Sequence, residues 1–151
     1  QGLKLELTGV AGSGPILDTL YKKFSRPRLD GPVFLINHPA SMRPLAKKLP
    51  ENPKEVASFQ LLVAGTEWLN AYNELNDPED QRERWEEEKR LAKKGLAEHQ
   101  VLDEDYIEAL EYGMPPTAGW GLGIDRVTAF LTDSHSLKET ILFPTLKPEA
   151  K

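Results

Sequence analysis

From Phe59 to Leu75 the chain reads as strand throughout, and Gly65-Thr66 is the only turn signal inside it. Two antiparallel strands joined near Val63 to Thr66 are the natural reading, with residues 60 and 67 roughly opposite each other. Such a hairpin commits the chain to an antiparallel sheet. Val33 to Ile36 adds a short apolar strand, stopped by Asn37-His38-Pro39 because proline cannot donate to a sheet ladder. His38 at this stop is read as structural rather than catalytic. Thr117 onward supplies a glycine-rich strand, AGWGLGID, running into a helix with Val127, Phe130 and Leu131 at i, i+3 and i+4, and Thr140 to Phe143 reads as a last strand. With strands dominant and helices flanking, an α+β fold on an antiparallel sheet is favoured over a doubly wound one.

The helices carry clear punctuation. Ile16, Leu17, Leu20, Tyr21 and Phe24 recur at helical spacing after Pro15, which suits a first turn. Asn76-Asp77-Pro78 opens a charged helix to about Lys94, with Asp77 as cap and Pro78 at the first position. Asp80/Arg84 and Glu86/Arg90 stand four apart on it in the favourable order, and Trp85 with Ala92 forms a thin apolar stripe. Asp103 caps a second helix, stapled by Leu102 and Ile107, that ends at Gly113. Leu3 to Leu7 alternates leucine with charge and reads as a strand, broken by the cluster from Gly9 to Pro15. That cluster is a turn and not a phosphate loop, since no Gly-Lys-Ser/Thr follows. Arg43 to Lys54, with three prolines and four basic residues, reads as a surface loop.

Several function classes are excluded. The chain of 151 residues has no cysteine, which removes disulfides, zinc-thiolate sites and thiol nucleophiles and fits a cytoplasmic protein. A net charge of −5 gives no global positive field for nucleic acid, so any RNA contact must be local. Apolar runs of a few residues fall far short of the roughly 20 that span a bilayer, and the start lacks a signal-peptide core, so no membrane contact is expected.

Gly119-Trp120-Gly121-Leu122-Gly123-Ile124-Asp125-Arg126 is the most informative segment. Alternating glycines strip one strand face, so a planar or phosphorylated ligand can approach the backbone, and an arginine at the start of the next helix offers phosphate a fixed fork. Glycines easing close packing account for the same pattern. GLGIDRVTAFLT resembles motif 3 of class II aminoacyl-tRNA synthetases. NAYNELNDPEDQRERWEE, LDEDYIEALEYGMPPTAGWGLGIDR and LTDSHSLKETILFP are similar to lysyl-tRNA synthetases in order and spacing, from about residue 14 onward.

The resemblance implies a part of the class II catalytic fold and a lysine-tRNA ligase: lysine is activated by ATP with Mg²⁺ to lysyl-adenylate, then transferred to tRNA(Lys). It implies Arg126 as the catalytic arginine on the ATP γ-phosphate and adenine, with Gly121, Gly123 and Asp125 completing the ATP site. Asn70, Tyr72 and Glu74 are the implied lysine site, Glu74 taking the ε-ammonium, since a desolvated ammonium needs a paired carboxylate. Gln60 and Glu67 occupy the family's metal-ligand positions, where a hard cation prefers carboxylate oxygen. Here the sequence departs: position 60 is acidic in the family, and Arg43 stands where serine usually precedes Pro-Leu-Ala. On a flat strand Glu67 and Glu74 face opposite ways, so a bulge or bend between them is required if both line one pocket.

Motif 1, which serves the homodimer, motif 2, whose arginine grips the α-phosphate, and the N-terminal anticodon-binding barrel do not appear in residues 1–151. The chain is therefore expected to be the C-terminal portion of the catalytic domain, with motif 3 at about 117–133, and to be inactive by itself. Two alternatives stay open: a non-catalytic synthetase-like binding module, and a paralogue that attaches lysine to a protein.

Overall fold

The computed structural model describes residues 12–96 and 102–145; the strand expected at residues 3–7 lies outside them. Four strands form an antiparallel sheet in the order β1, β4, β5, β6: β1 is Pro32–Ile36, β4 Ser58–Val63, β5 Thr66–Asn73 and β6 Ala118–Leu122. The hairpin is as expected, with Ala64 and Gly65 both at positive φ, 48° and 68°, to make the tight reversal. On β4, Ser58, Gln60 and Leu62 are buried, whereas Phe59 shares the other face with the exposed Phe34 and Ile36 of β1. The buried face of this sheet is thus partly polar.

Helix α1, Ser13–Leu20, runs into a π-helical turn over Tyr21–Ser25. The expected turn at Ser13 to Pro15 is therefore helix: Gly12 at φ 92° makes the reversal, and Gly14 packs against the Ser41 carbonyl. Arg26 Nε donates to the Gly65 carbonyl at 2.6 Å and ties this segment to the hairpin tip. The stretch read as a surface loop contains an antiparallel ribbon, β2 (Lys48–Leu49) with β3 (Asn52–Val56). The sequence underrated it because the ribbon is held from outside: Ala46 bridges Glu74 and Pro39 bridges Glu55.

Helix α2, Pro78–Ala92, starts as expected, with Asp77 accepting from the N–H groups of Glu79 and Asp80. Arg90 pairs at 2.6 Å with Glu87, three residues away, and not with Glu86, the partner four away expected from the sequence. Helix α3, Glu104–Glu111, is capped by Asp103, and its Ile107 and Leu110 join Trp85, Leu75 and Val56 in the core. Tyr106 lies 5.4 Å from Trp85. Helix α4, Ile124–Leu131, follows β6 directly. Thr140 to Phe143 is not a strand: the Thr140 N–H closes a 3₁₀ turn on Leu137, and Leu142 and Phe143 are exposed. No helix among the described residues is long and apolar enough to cross a membrane.

Candidate functional site

The required bulge exists. Leu61 pairs with Leu69 but Leu62 pairs with Glu67, so Trp68 is an extra residue on β5. The extra residue reverses the parity of the strand before it, and Glu67 comes onto the face that carries Asn70, Tyr72 and Glu74. Gln60 sits opposite Asn70 in the ladder and not opposite Glu67, yet its amide nitrogen donates to Glu67 Oε2 at 2.8 Å along the same face. The two carbonyls at the bulge are bonded where β6 passes into α4: the Gly123 N–H, just before the helix, donates to the Trp68 carbonyl at 3.0 Å, and Arg126 Nη1 donates to the Glu67 carbonyl. Trp68 itself stacks edge-on against Phe130 of α4, with centroids 4.8 Å apart. One inserted residue thereby docks the arginine-bearing helix beside Glu67.

Behind Glu67 runs a directed chain of hydrogen bonds. His38 is buried, with Nδ1 2.7 Å from Ser58 Oγ and Nε2 3.2 Å from Gln60 Oε1. Burial lowers the His38 pKa, and the Arg43 charge lowers it further, so the ring is neutral and must donate from one nitrogen only. Gln60 turns its NH₂ to Glu67, so its oxygen faces His38. That fixes the order: Ser58 donates to His38 Nδ1, His38 Nε2–H to Gln60, and Gln60 to Glu67. Gln60 is therefore a hydrogen-bond donor toward Glu67, and its amide would have to turn over to offer oxygen to a cation there. Glu67 remains a carboxylate whose oxygens could serve a hard cation such as Mg²⁺ if other ligands completed its shell. Among the described residues no group of three or more His, Cys, Asp or Glu could hold a metal alone.

At the other end of β5 lies Glu74. Its carboxylate makes no ion pair among the described residues, and burial raises its pKa. Its Oε1 occupies the space a Cβ on Gly119 would need, which explains one glycine of the alternating set. Gly119 lies opposite Tyr72 and Gly121 opposite Asn70. A Cβ on Gly121 would meet nothing within 4 Å, so the face above it is open. Asn70 Oδ1 is buried without a hydrogen-bond partner. The hydroxyls of Tyr72 and Tyr106 have pKa values raised by burial and then by the Glu74 charge, so both lie within the field of this carboxylate. Gly123 gives room to the stem of Arg126, whose Cδ would stand 3.2 Å from a Cβ there. Asp125 is solvent-exposed in the first turn of α4 and touches none of these groups.

The expected residues therefore meet on one face, with Asp125 alone left at its edge. Sequence reasoning missed Tyr106, Gly119 as the partner of Glu74, and Ser58 as the start of the His38 chain. It also missed the cleft of about 770 Å³ between the π-helical turn and the sheet, lined by Tyr21, His38, Arg43, Gln60 and Glu67. The sequence carried no local signal for these, since His38, Ser58 and Gln60 meet only through the pairing of β1 with β4.

A family model described as class II tRNA synthetases (D, K and N) matches residues 17–147. The lysine–tRNA ligase of Christiangramia forsetii is 42% identical over 151 residues, all of this chain and 26% of that protein. The lysine–tRNA ligase of Enterococcus faecalis is 45% identical over 143 residues, 95% of this chain and 29% of that protein. The chain spans between a quarter and a third of the length of these curated relatives.

Proposed function

Because the chain belongs to the class II tRNA synthetases of the D, K and N group, we propose that it carries the lysine-specific half of a lysine–tRNA ligase active site. On this reading residues 1–151 are the C-terminal portion of the catalytic domain, with motif 3 at about 117–133. Dimer contacts, the α-phosphate grip and the anticodon-binding barrel fall in other parts of the protein. The work is cytoplasmic, and the partners are lysine, ATP with Mg²⁺, and tRNA(Lys).

The observation that carries the proposal is Glu74: a partly buried carboxylate, lying over Gly119, that makes no ion pair among the described residues. A lysine ε-ammonium supplies the missing charge, which a partly desolvated carboxylate favours. Asn70 Oδ1, an orphaned acceptor on the same face, receives an N–H of the α-ammonium. The open backbone over Gly121 admits the adenosine part, and Arg126 braces its phosphates. Mg²⁺ shared between Glu67 and the phosphates would offset their charge. With both substrates aligned, the lysine carboxylate oxygen attacks the α-phosphorus, and pyrophosphate leaves with the electron pair of the broken P–O bond. In the second step a 3′-terminal ribose hydroxyl of tRNA attacks the activated carbonyl and AMP leaves. Positioning and charge stabilisation account for catalysis of this kind.

The test is amino-acid-dependent exchange of pyrophosphate into ATP by the full-length protein. Lysine supports exchange and arginine does not, and Glu74→Ala abolishes the lysine signal. Exchange supported equally by arginine refutes the proposal.

A further inference from the structure

Arg43 lines the cleft with Tyr21, His38, Gln60 and Glu67. Its guanidinium makes no ion pair with a carboxylate among the described residues, although it is largely withdrawn from solvent. Burial lowers its pKa, and the fields of Glu67 and Asp18 act in the opposite sense without either carboxylate closing on it. A cation kept in such a place without a partner is unfavourable by itself.

The fold nevertheless fixes where it stands. Arg84 donates to the carbonyls of Arg43 at 3.2 Å, Pro44 at 3.4 Å and Ala46 at 2.7 Å, and is itself gripped by both oxygens of Asp80, at 3.0 and 2.8 Å. The Arg43 N–H is bonded to Ala40 at 3.2 Å. The backbone beneath the guanidinium is thus clamped while the charge is left open. Tyr21 also lines this cleft, and its hydroxyl is buried with no hydrogen-bond partner. It sits at the start of the π-helical turn, a departure from α geometry that recurs at ligand sites.

An unneutralised cation and an unused hydroxyl in one cleft complement a multiply charged anion. The same cleft ends at Gln60 and Glu67, where the amide is committed as a donor, and it is also lined by Glu88 and by Asp18, which pairs with Lys22. We propose that Arg43, with the Tyr21 hydroxyl, binds the pyrophosphate end of the nucleotide and supplies as a fixed side chain part of the positive charge the anion needs. This rests on the ligase reading for the identity of the anion.

The test uses the full-length protein and inorganic pyrophosphate as titrant in calorimetry, with lysine titrated separately. Arg43→Ala weakens pyrophosphate binding by roughly 10- to 100-fold, the loss expected for a hydrogen-bonded charge, and leaves lysine affinity within about twofold. Arg43→Lys recovers part of the loss, and Tyr21→Phe gives a smaller, several-fold weakening. If Arg43→Ala does not fold, the order Arg above Lys above Gln at position 43 carries the same information. Unchanged pyrophosphate affinity in these variants overturns the inference, as does absence of binding by the unaltered protein, or a parallel fall in lysine affinity, which would mark a structural role. Arg43-dependent pyrophosphate binding without lysine-dependent exchange would sink the ligase reading and leave this inference standing. Lysine-dependent exchange with no role for Arg43 does the reverse.

Discussion

Gly119→Ala separates function from folding in this site. The added methyl falls where Glu74 Oε1 now lies, and Gly119 is not at positive φ, so backbone strain plays no part. The obstacle is the far end of a flexible side chain, which can withdraw; it must move on the order of 1 Å to reach ordinary contact near 3.4 Å. Stability should therefore change by less than about 1 kcal/mol. Lysine recognition has no such latitude on the proposed reading. Displacing one partner of a charged hydrogen bond by that distance forfeits about 1.5–3 kcal/mol, or roughly 10- to 150-fold in affinity. In the full-length protein, KM for lysine should rise by that factor while KM for ATP and the melting temperature hold. If lysine affinity survives Gly119→Ala within about threefold, Glu74 does not hold the ammonium in the orientation described.

The pH dependence of lysine binding follows from Glu74. Its pKa in the unliganded fold is raised, so lysine affinity falls as pH drops through a range above that of an ordinary glutamate, and calorimetry across pH 4–8 reads the window directly. For stability the sign is opposite. The protonated form favours the unliganded fold and that advantage is lost as pH rises through the raised pKa, so Glu74→Gln should raise the unliganded melting temperature at neutral pH while abolishing lysine binding. Arg84→Ala should cost about 3 kcal/mol by thermal or urea denaturation, because it leaves Asp80 with Lys48 alone and strips the carbonyls of Arg43, Pro44 and Ala46 of their shared donor. Burial would raise the Asp80 pKa, but bonds from Arg84 and Lys48 outweigh it and hold it low, so this contribution is lost as pH falls through that depressed value. Gly14→Ala drives a methyl into the Ser41 backbone carbonyl, which cannot swing aside, and should cost about 1–3 kcal/mol in the same assay.

What the sequence made legible was local. Asp77-Pro78 and Asp103 announce helix starts because a cap acts on N–H groups two or three residues away, and the Val63 to Thr66 reversal needs only its own turn. The ribbon at Lys48 to Val56 escaped notice because its support comes from Ala46 against Glu74 and from Arg84, more than 20 residues distant. The last expected strand failed for a local reason that pattern alone does not weigh, the 3₁₀ closure on Leu137. The need for a bulge between Glu67 and Glu74 could be stated from parity, but not its position. Trp68 is the extra residue because its carbonyl and ring answer Gly123 and Phe130, partners more than 50 residues downstream.

That placement also sorts charge along β5. At the Glu74 end, past the bulge, stand acceptors: the lone carboxylate and Asn70 Oδ1. At the Glu67 end stand donors: the Gln60 amide, Arg126 and, across the cleft, Arg43 and Tyr21. The two ends are roughly 20 Å apart at strand rise, enough for an extended lysine and a phosphate chain laid end to end. Lysine presents a cation farthest from its reactive carboxylate, and ATP presents its greatest negative charge beyond the phosphorus to be attacked. On the proposed reading, a face with acceptors at one end and donors at the other would hold each substrate by the group that does not react, and would bring the reacting carboxylate and phosphate together over the open backbone at Gly121. A flat strand with no extra residue could not do this, since Glu67 and its donors would lie on the far side of the sheet from Glu74.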